Sequence, residues 1–121
     1  MKPEIKKEWV RRLRSGEIEQ GTGALRRDEA RCCLGVLSDM AVEEGVIPEP
    51  HQGEWGDWIY GERDKSFPPA VVLNWAGLTD RDPVVRLVEN EDGEQFEYTV
   101  SELNDGGATF EEIANLIEAK L

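Results

Sequence analysis

The sequence predicts an α+β fold: one compact, mainly helical domain, residues 1 to 121, with three to five short helices and a small antiparallel β-hairpin. Three observations predict it. Apolar residues recur at helical spacing in three separate stretches, around Trp9, after Cys33 and after Thr109. Asp92-Gly93, a strong hairpin-turn signal, sits between two alternating segments. The chain has 121 residues, close to the commonest size of a domain with a single core.

Pro3 suits a first helical position, and Ile5, Trp9 and Leu13 recur every four residues with Val10 beside them, so one apolar stripe runs along a helix ending near Gly16. Its other faces carry Lys6, Lys7, Arg11, Arg12 and Arg14, a pattern read as a solvated face in preference to an anion-binding surface. In GEIEQGTGALRRDEAR the glycines and the Asp28-Glu29 pair predict a loop with a short hairpin around Leu25. From Arg31 the chain turns apolar, and Cys33, Val36, Leu37, Met40 and Ala41, widened by Leu34, predict a central helix that Gly45 caps. Gly35 within that helix costs about 1 kcal/mol relative to alanine. Close approach of another backbone is the simplest reason for it, with ligand contact as the alternative.

Residues 46 to 67 are rich in Pro and Gly and carry Trp55, Trp58 and Tyr60, which either cap the core or form a stacking platform for a flat ligand; capping is the favoured reading. Pro68-Pro69 opens a short helix bearing Val71, Val72 and Trp75 that Gly77 ends. In the hairpin, Val85 and Leu87, continued by Glu89, are expected on one face and Phe96 and Tyr98 opposite, and Glu89, Glu91, Asp92, Glu94 and Glu97 make its outer face acidic. A lone ribbon is marginal, so it must pack on the helices. Ser101 is expected to cap a short helix SELND that Gly106 or Gly107 ends. Thr109 and Glu112 form a capping box for a last helix that buries Phe110, Ile113, Ala114, Ile117 and Leu121.

Composition narrows the function. The formal net charge is -12, and it is unevenly spread: residues 1 to 31 balance at +3 and residues 32 to 121 at -15. Duplex nucleic acid is a poor ligand for so acidic a chain, because affinity there rests on clustered Lys and Arg. No apolar run approaches the roughly 18 to 20 residues of a membrane span. The N-terminus lacks the apolar region of a secretory signal, so a cytoplasmic location is expected. Cys32 and Cys33 are adjacent and read as reduced, buried thiols, and a single histidine, His51, makes a metal site or other cofactor unexpected. G-x-S-x-G, H-E-x-x-H and G-x-x-x-x-G-K-[ST] are missing, which favours binding over catalysis.

One stretch offers small-anion chemistry. Gly21-x-Gly23 exposes backbone N–H groups, Arg26, Arg27 and Arg31 follow, and a helix begins behind them. It lacks the third glycine of a dinucleotide fingerprint and follows a loop instead of a strand. The competing reading pairs these arginines with the abundant carboxylates. Gly21, Gly23, Arg26, Arg27, Arg31, Trp55, Trp58 and Tyr60 are thus the candidate ligand-binding residues.

GTGALRR followed by RCCLGVLSDMA, and the C-terminal SELNDGGATFEEIANLIE, resemble a widespread group of small, uncharacterised phage and prophage proteins. Two departures are Ser38, where many relatives are expected to have cysteine, and Gly107. The resemblance implies phage origin and no particular catalytic residue. It leads to the expectation of a non-catalytic accessory protein in the host cytoplasm that sequesters a small anionic, nucleotide-derived host signal. The alternatives are an acidic inhibitor that binds a host protein, by nucleic-acid mimicry or otherwise, and a small hydrolase using carboxylates. The apolar content of short helices and exposed aromatics would suit a homodimer.

Overall fold

The computed structural model describes residues 1–121. In chain order the elements are α1 (Pro3–Arg14), β1 (Arg26–Arg27), β2 (Ala30–Arg31), α2 (Cys33–Glu43), β3 (His51–Gln52), a 3-10 turn (Glu54–Gly56), β4 (Trp58–Ile59), α3 (Ala70–Ala76), β5 (Val84–Glu89), β6 (Gln95–Thr99), α4 (Val100–Asp105) and α5 (Phe110–Lys120). The strands form three separate antiparallel ribbons, β1–β2, β3–β4 and β5–β6, so the molecule is a helical body with three small β appendages.

Helix α2 is the centre. Every residue from Cys33 to Ala41 except Asp39 is buried, because α1, α3 and α4 pack around it. Helix α1 brings Trp9, Val10 and Leu13 to this core, and α5 brings Phe110, Ile113, Ala114 and Ile117. Each fully buried large apolar side chain contributes roughly 1.5–3 kcal/mol. The local signals agree with the packing. Pro3 opens α1, Thr109 and Glu112 form the capping box of α5, and Gly45 and Gly77, both with φ near +75°, end α2 and α3 in a left-handed conformation that suits glycine.

Gly35 explains its presence. A Cβ at this position would lie 1.8 Å from the carbonyl oxygen of Leu25, so the chain leading into β1 rests directly on the backbone of α2. The same Leu25 carbonyl accepts from the Cys32 N–H at 3.2 Å, just ahead of the helix. A second tie lies at Asn104 of α4, which is buried. Its Oδ1 accepts from the Cys33 N–H at 3.2 Å and from Gln20 Nε2 at 3.1 Å, while its Nδ2 donates to Gly21 O at 2.8 Å. Gln20 continues inward, donating to Ala108 O at 2.8 Å and accepting from the Phe110 N–H at 3.1 Å. Two carboxamides thereby satisfy the start of α2, the strap over it and the start of α5.

Three local expectations change, and the aromatic segment proves to hold a ribbon. The short hairpin turns at Asp28-Glu29, not around Leu25, which is itself a buried core residue. Thr99, not Ser101, caps α4 by accepting from the Glu102 N–H; Ser101 instead donates from its hydroxyl to Asp82 Oδ2 at 2.5 Å. Residues 46 to 67 contain the ribbon β3–β4, paired His51 with Ile59 and Gln52 with Trp58. In β5–β6, a register shift between Val84 and Arg86 turns only Val85 into the core and leaves Leu87 on the surface. Phe96 and Tyr98 pair directly with Val88 and Arg86 across the ladder, on the face opposite Leu87 as expected.

Gly35→Ala must displace backbone, so it is expected to destabilise the protein by about 3 kcal/mol. Asn104→Ala leaves a buried N–H and a carbonyl unpaired and is expected to lose about 2–3 kcal/mol. Both are read from urea denaturation midpoints, and a wild-type midpoint for either variant would contradict the packing described.

Candidate functional site

The β1–β2 hairpin sets two arginines against each other. Arg26 and Arg31 are direct cross-strand partners, so their side chains leave on the same face, where like charges repel. Neighbours absorb that repulsion. Arg26 donates from Nε to Asp28 O at 2.7 Å, pairs through Nη2 with Glu29 at 3.1 Å, and lies 3.8 Å above the centre of the Trp58 ring. Arg31 donates from Nε to Asp39 Oδ2 at 2.9 Å and from Nη1 to Glu29 O at 2.6 Å. The other oxygen of Asp39 accepts from the Tyr60 hydroxyl at 2.5 Å. Burial first, and then the adjacent Asp39 carboxylate, keep the Tyr60 phenol protonated far above its usual range.

Arg26, Glu29, Arg31 and Asp39 of this cluster line a polar cleft of about 750 Å³. Arg11 and Arg12 of α1 and Val36 and Val42 of α2 line the same cleft. Arg11 grips Glu8 with two hydrogen bonds, at 2.8 and 2.6 Å, and Arg12 bridges Glu8 at 2.8 Å to Glu43 at 2.5 Å. Hydrogen bonds from Arg11 and Arg12 hold the Glu8 carboxyl down at about 2.

The other sequence-derived candidates fall in several places. Gly21 donates its N–H to Arg31 O at 2.8 Å and Gly23 donates to Asp105 Oδ1 at 3.1 Å, so both N–H groups are engaged within the chain. Gly21 is also pressed against β2, since a Cβ there would meet the Ala30 Cβ at 2.9 Å. Arg27 turns away from the cleft wall to Asp57 Oδ1, at 2.8 Å. Trp58 is half-buried beneath Arg26, Tyr60 is buried in the core, and Trp55 is 90% exposed on the 3-10 turn, with φ +60°. Arg26, Arg31, Trp58 and Tyr60 therefore come together, whereas Trp55 stands apart and the three aromatics make no common platform. Sequence reasoning missed Glu29, Asp39 and Glu43 as partners. Asp39 lies eight positions beyond Arg31 on a helix that reads as apolar throughout, and with 26 carboxylates in the chain nothing local marks it.

A second feature is the ribbon β5–β6. All residues from Glu89 to Tyr98 are exposed, so its outer part is an arm projecting into solvent. Phe96 and Tyr98 give one face of the arm an apolar surface, with Arg86 lying over the Tyr98 ring, and Leu87, 67% exposed, stands on the other face beside Glu97. The arm also carries five carboxylates, Glu89, Glu91, Asp92, Glu94 and Glu97, of which Glu89 and Glu97 share the face of Leu87. Asn90 shapes the tip, its Oδ1 accepting from the N–H groups of Asp92 at 3.0 Å and Glu94 at 2.8 Å.

Both thiols are buried and unpaired in any disulfide. Burial pushes Cys32 up to about 11, and Cys33 is raised well above the usual thiol value by the same cause. His51 lies on the exposed ribbon β3. No helix is long and apolar enough to cross a membrane.

Fold and site together define a compact α+β domain of five short helices and three two-stranded ribbons, with a cleft lined by arginines and carboxylates and a projecting acidic arm. The chain belongs to the family described as a domain of unknown function, DUF8296, whose match spans residues 1–121. No curated protein and no solved structure matches the chain.

The buried thiols make two measurable differences. The two-unit rise of Cys32 lowers its thiolate fraction about 100-fold, so at pH 8 the folded protein should react with a disulfide reagent at least that much more slowly than the urea-unfolded chain. Because the folded-state value is raised, the associated stability is complete below 9.0, the ordinary value, and declines as pH rises from there towards about 11. Cys32→Ser should flatten that decline in denaturation midpoints compared between pH 8 and pH 10.5; equal slopes in both proteins would contradict it.

Proposed function

We propose that this is a non-catalytic binding protein that engages a protein partner through the β5–β6 arm. The observation that carries the proposal is the arm itself: Phe96 and Tyr98 are exposed on one face of a projecting ribbon, paired with Val88 and Arg86, while Leu87 is exposed on the other face and five carboxylates lie along the same ribbon. Apolar side chains kept in water on an element this marginal favour contact with another surface. The carboxylates of the arm select a partner whose groove is basic at the rim and apolar at the floor, and they steer the encounter over distances set by ionic strength. A groove that otherwise receives a polyanion is one form of such a partner. The likeness of the RCCLGVL and LND motifs to phage and prophage proteins supports an accessory role, with a host protein as the target.

A photoreactive residue at Val88, opposite Phe96 on the ladder, provides the test. In lysate of a bacterial host the wild-type arm should give one saturable adduct, and capture should weaken as salt is raised. Phe96→Asp, and separately the triple change Glu89→Lys, Glu91→Lys and Glu94→Lys, should each lower capture at least about tenfold, as expected for a central anchor and for charge reversal along the arm. Undiminished capture by both variants would remove the arm from the function.

A further inference from the structure

We infer that the paired arginines of the β1–β2 hairpin form a binding site for a small dianion, a phosphate or dicarboxylate group, and that the Glu29 carboxylate occupies this site until the ligand displaces it. The inference rests on observations separate from the arm.

Two guanidinium groups on one face of a two-residue ribbon need a shared anion to offset their repulsion, and Glu29 supplies it. It does so weakly. Its side chain is 80% exposed, its contact with Arg26 is 3.1 Å, and its contact with Arg31 Nη1 stretches to 3.8 Å. A pair this open to water contributes little and is easily exchanged.

The arginines do not depend on that carboxylate for their positions. Arg26 is fixed by the Asp28 carbonyl and by the Trp58 ring, and Arg31 by Asp39 and the Glu29 backbone carbonyl. Their side chains are only 13% and 19% exposed, so both are preorganised and partly desolvated. Nη1 of Arg26 and Nη2 of Arg31 have no acceptor within the protein. Glu29 therefore fills the site without building it. A phosphate or a pair of carboxylates offers more acceptor oxygens than one glutamate and can reach these free donors.

The cleft beside the pair has room for a ligand of this class, at about 750 Å³. The charges nearest the site are already matched: Asp39 is held by Arg31 and Tyr60, and Glu43 by Arg12. Glu17, Glu19 and Glu49 border the same cleft and carry no cationic partner, which disfavours a long polyanion and leaves a compact group as the ligand. The Trp58 ring is covered by Arg26, so the recognised part is the anion and not a stacked base.

The test uses the full chain and two probes, inorganic pyrophosphate and succinate, each titrated to about 20 mM while the arginine Nε–H signals are followed by NMR. Saturable shifts at Arg26 and Arg31 are expected with at least one probe; the probe that acts distinguishes a phosphate site from a carboxylate site. Glu29→Gln, a change at an exposed position, should tighten binding about two- to fivefold, the strength of an exposed ion pair. Arg31→Gln should abolish it, and Arg27→Gln should leave it unchanged as a control on general charge. Equal affinity in the wild type and Glu29→Gln would overturn the displacement, and the lack of saturable shifts in both would overturn the site.

Discussion

The side chain of Asn104 is the interaction on which the arrangement of this protein depends. From a buried position on α4 it joins the first turn of α2, the Gly21 strap and Gln20, which in turn holds the start of α5. Segments 71 to 84 residues apart in sequence are thereby fixed by one carboxamide that uses both its oxygen and its nitrogen. A buried amide with every group satisfied specifies geometry in a way that apolar contacts do not, because hydrogen bonds are directional and an unpaired partner is costly. Gly35 adds a steric counterpart. Only the missing Cβ lets the Leu25 carbonyl settle on α2, so the strap has one place to lie.

The strap in turn dictates the hairpin. With Leu25 buried against α2 and Gly21 bonded to Arg31, the chain must reverse within Asp28-Glu29, and Asp28 takes a left-handed conformation to do so. That reversal places Arg26 opposite Arg31 and brings both beside Asp39. The Trp58–Arg26 stack and the Tyr60–Asp39 hydrogen bond then tie the aromatic segment to the same place. The charge asymmetry along the sequence becomes spatial in the same way. The arginines of α1 are consumed in ion pairs with carboxylates of α1, α2 and α5, whereas the acids of the β5–β6 arm take part in no ion pair and remain available.

Much of the framework was legible in residue order, and for identifiable reasons. The capping box at Thr109 and Glu112, the apolar run after Cys33, and the glycine stops at Gly45 and Gly77 are local devices whose energy comes from neighbours a few positions away. Gly35 was legible as a close approach because a helix accepts an interior glycine only for a reason. The misplacements have an equally physical origin. Thr99 and Ser101 are both competent caps, and Asp82, nineteen residues before Ser101, draws that hydroxyl elsewhere. Leu87 lies on the alternation expected of a buried face, but the irregularity at Val84–Arg86 changes the phase, so one core contact is made by Val85 and the remainder of the arm projects.

The candidate site divides along the same line. By itself the sequence determined an α+β chain with a central apolar helix, a terminal capped helix, inert adjacent cysteines and a cluster of arginines next to a glycine turn. These depend on period, composition and short-range hydrogen bonding, all written in consecutive residues. Only the tertiary structure decided that the Gly21 and Gly23 N–H groups are engaged internally, that Arg26 and Arg31 share a face while Arg27 does not, that Trp58 and Tyr60 support them while Trp55 stands in solvent, and that the acidic ribbon projects as an arm. Partners such as Asp39 for Arg31, or Asn104 for Gly21, are selected by where packed elements bring them, and among so many equivalent carboxylates and amides no local pattern names the one that arrives.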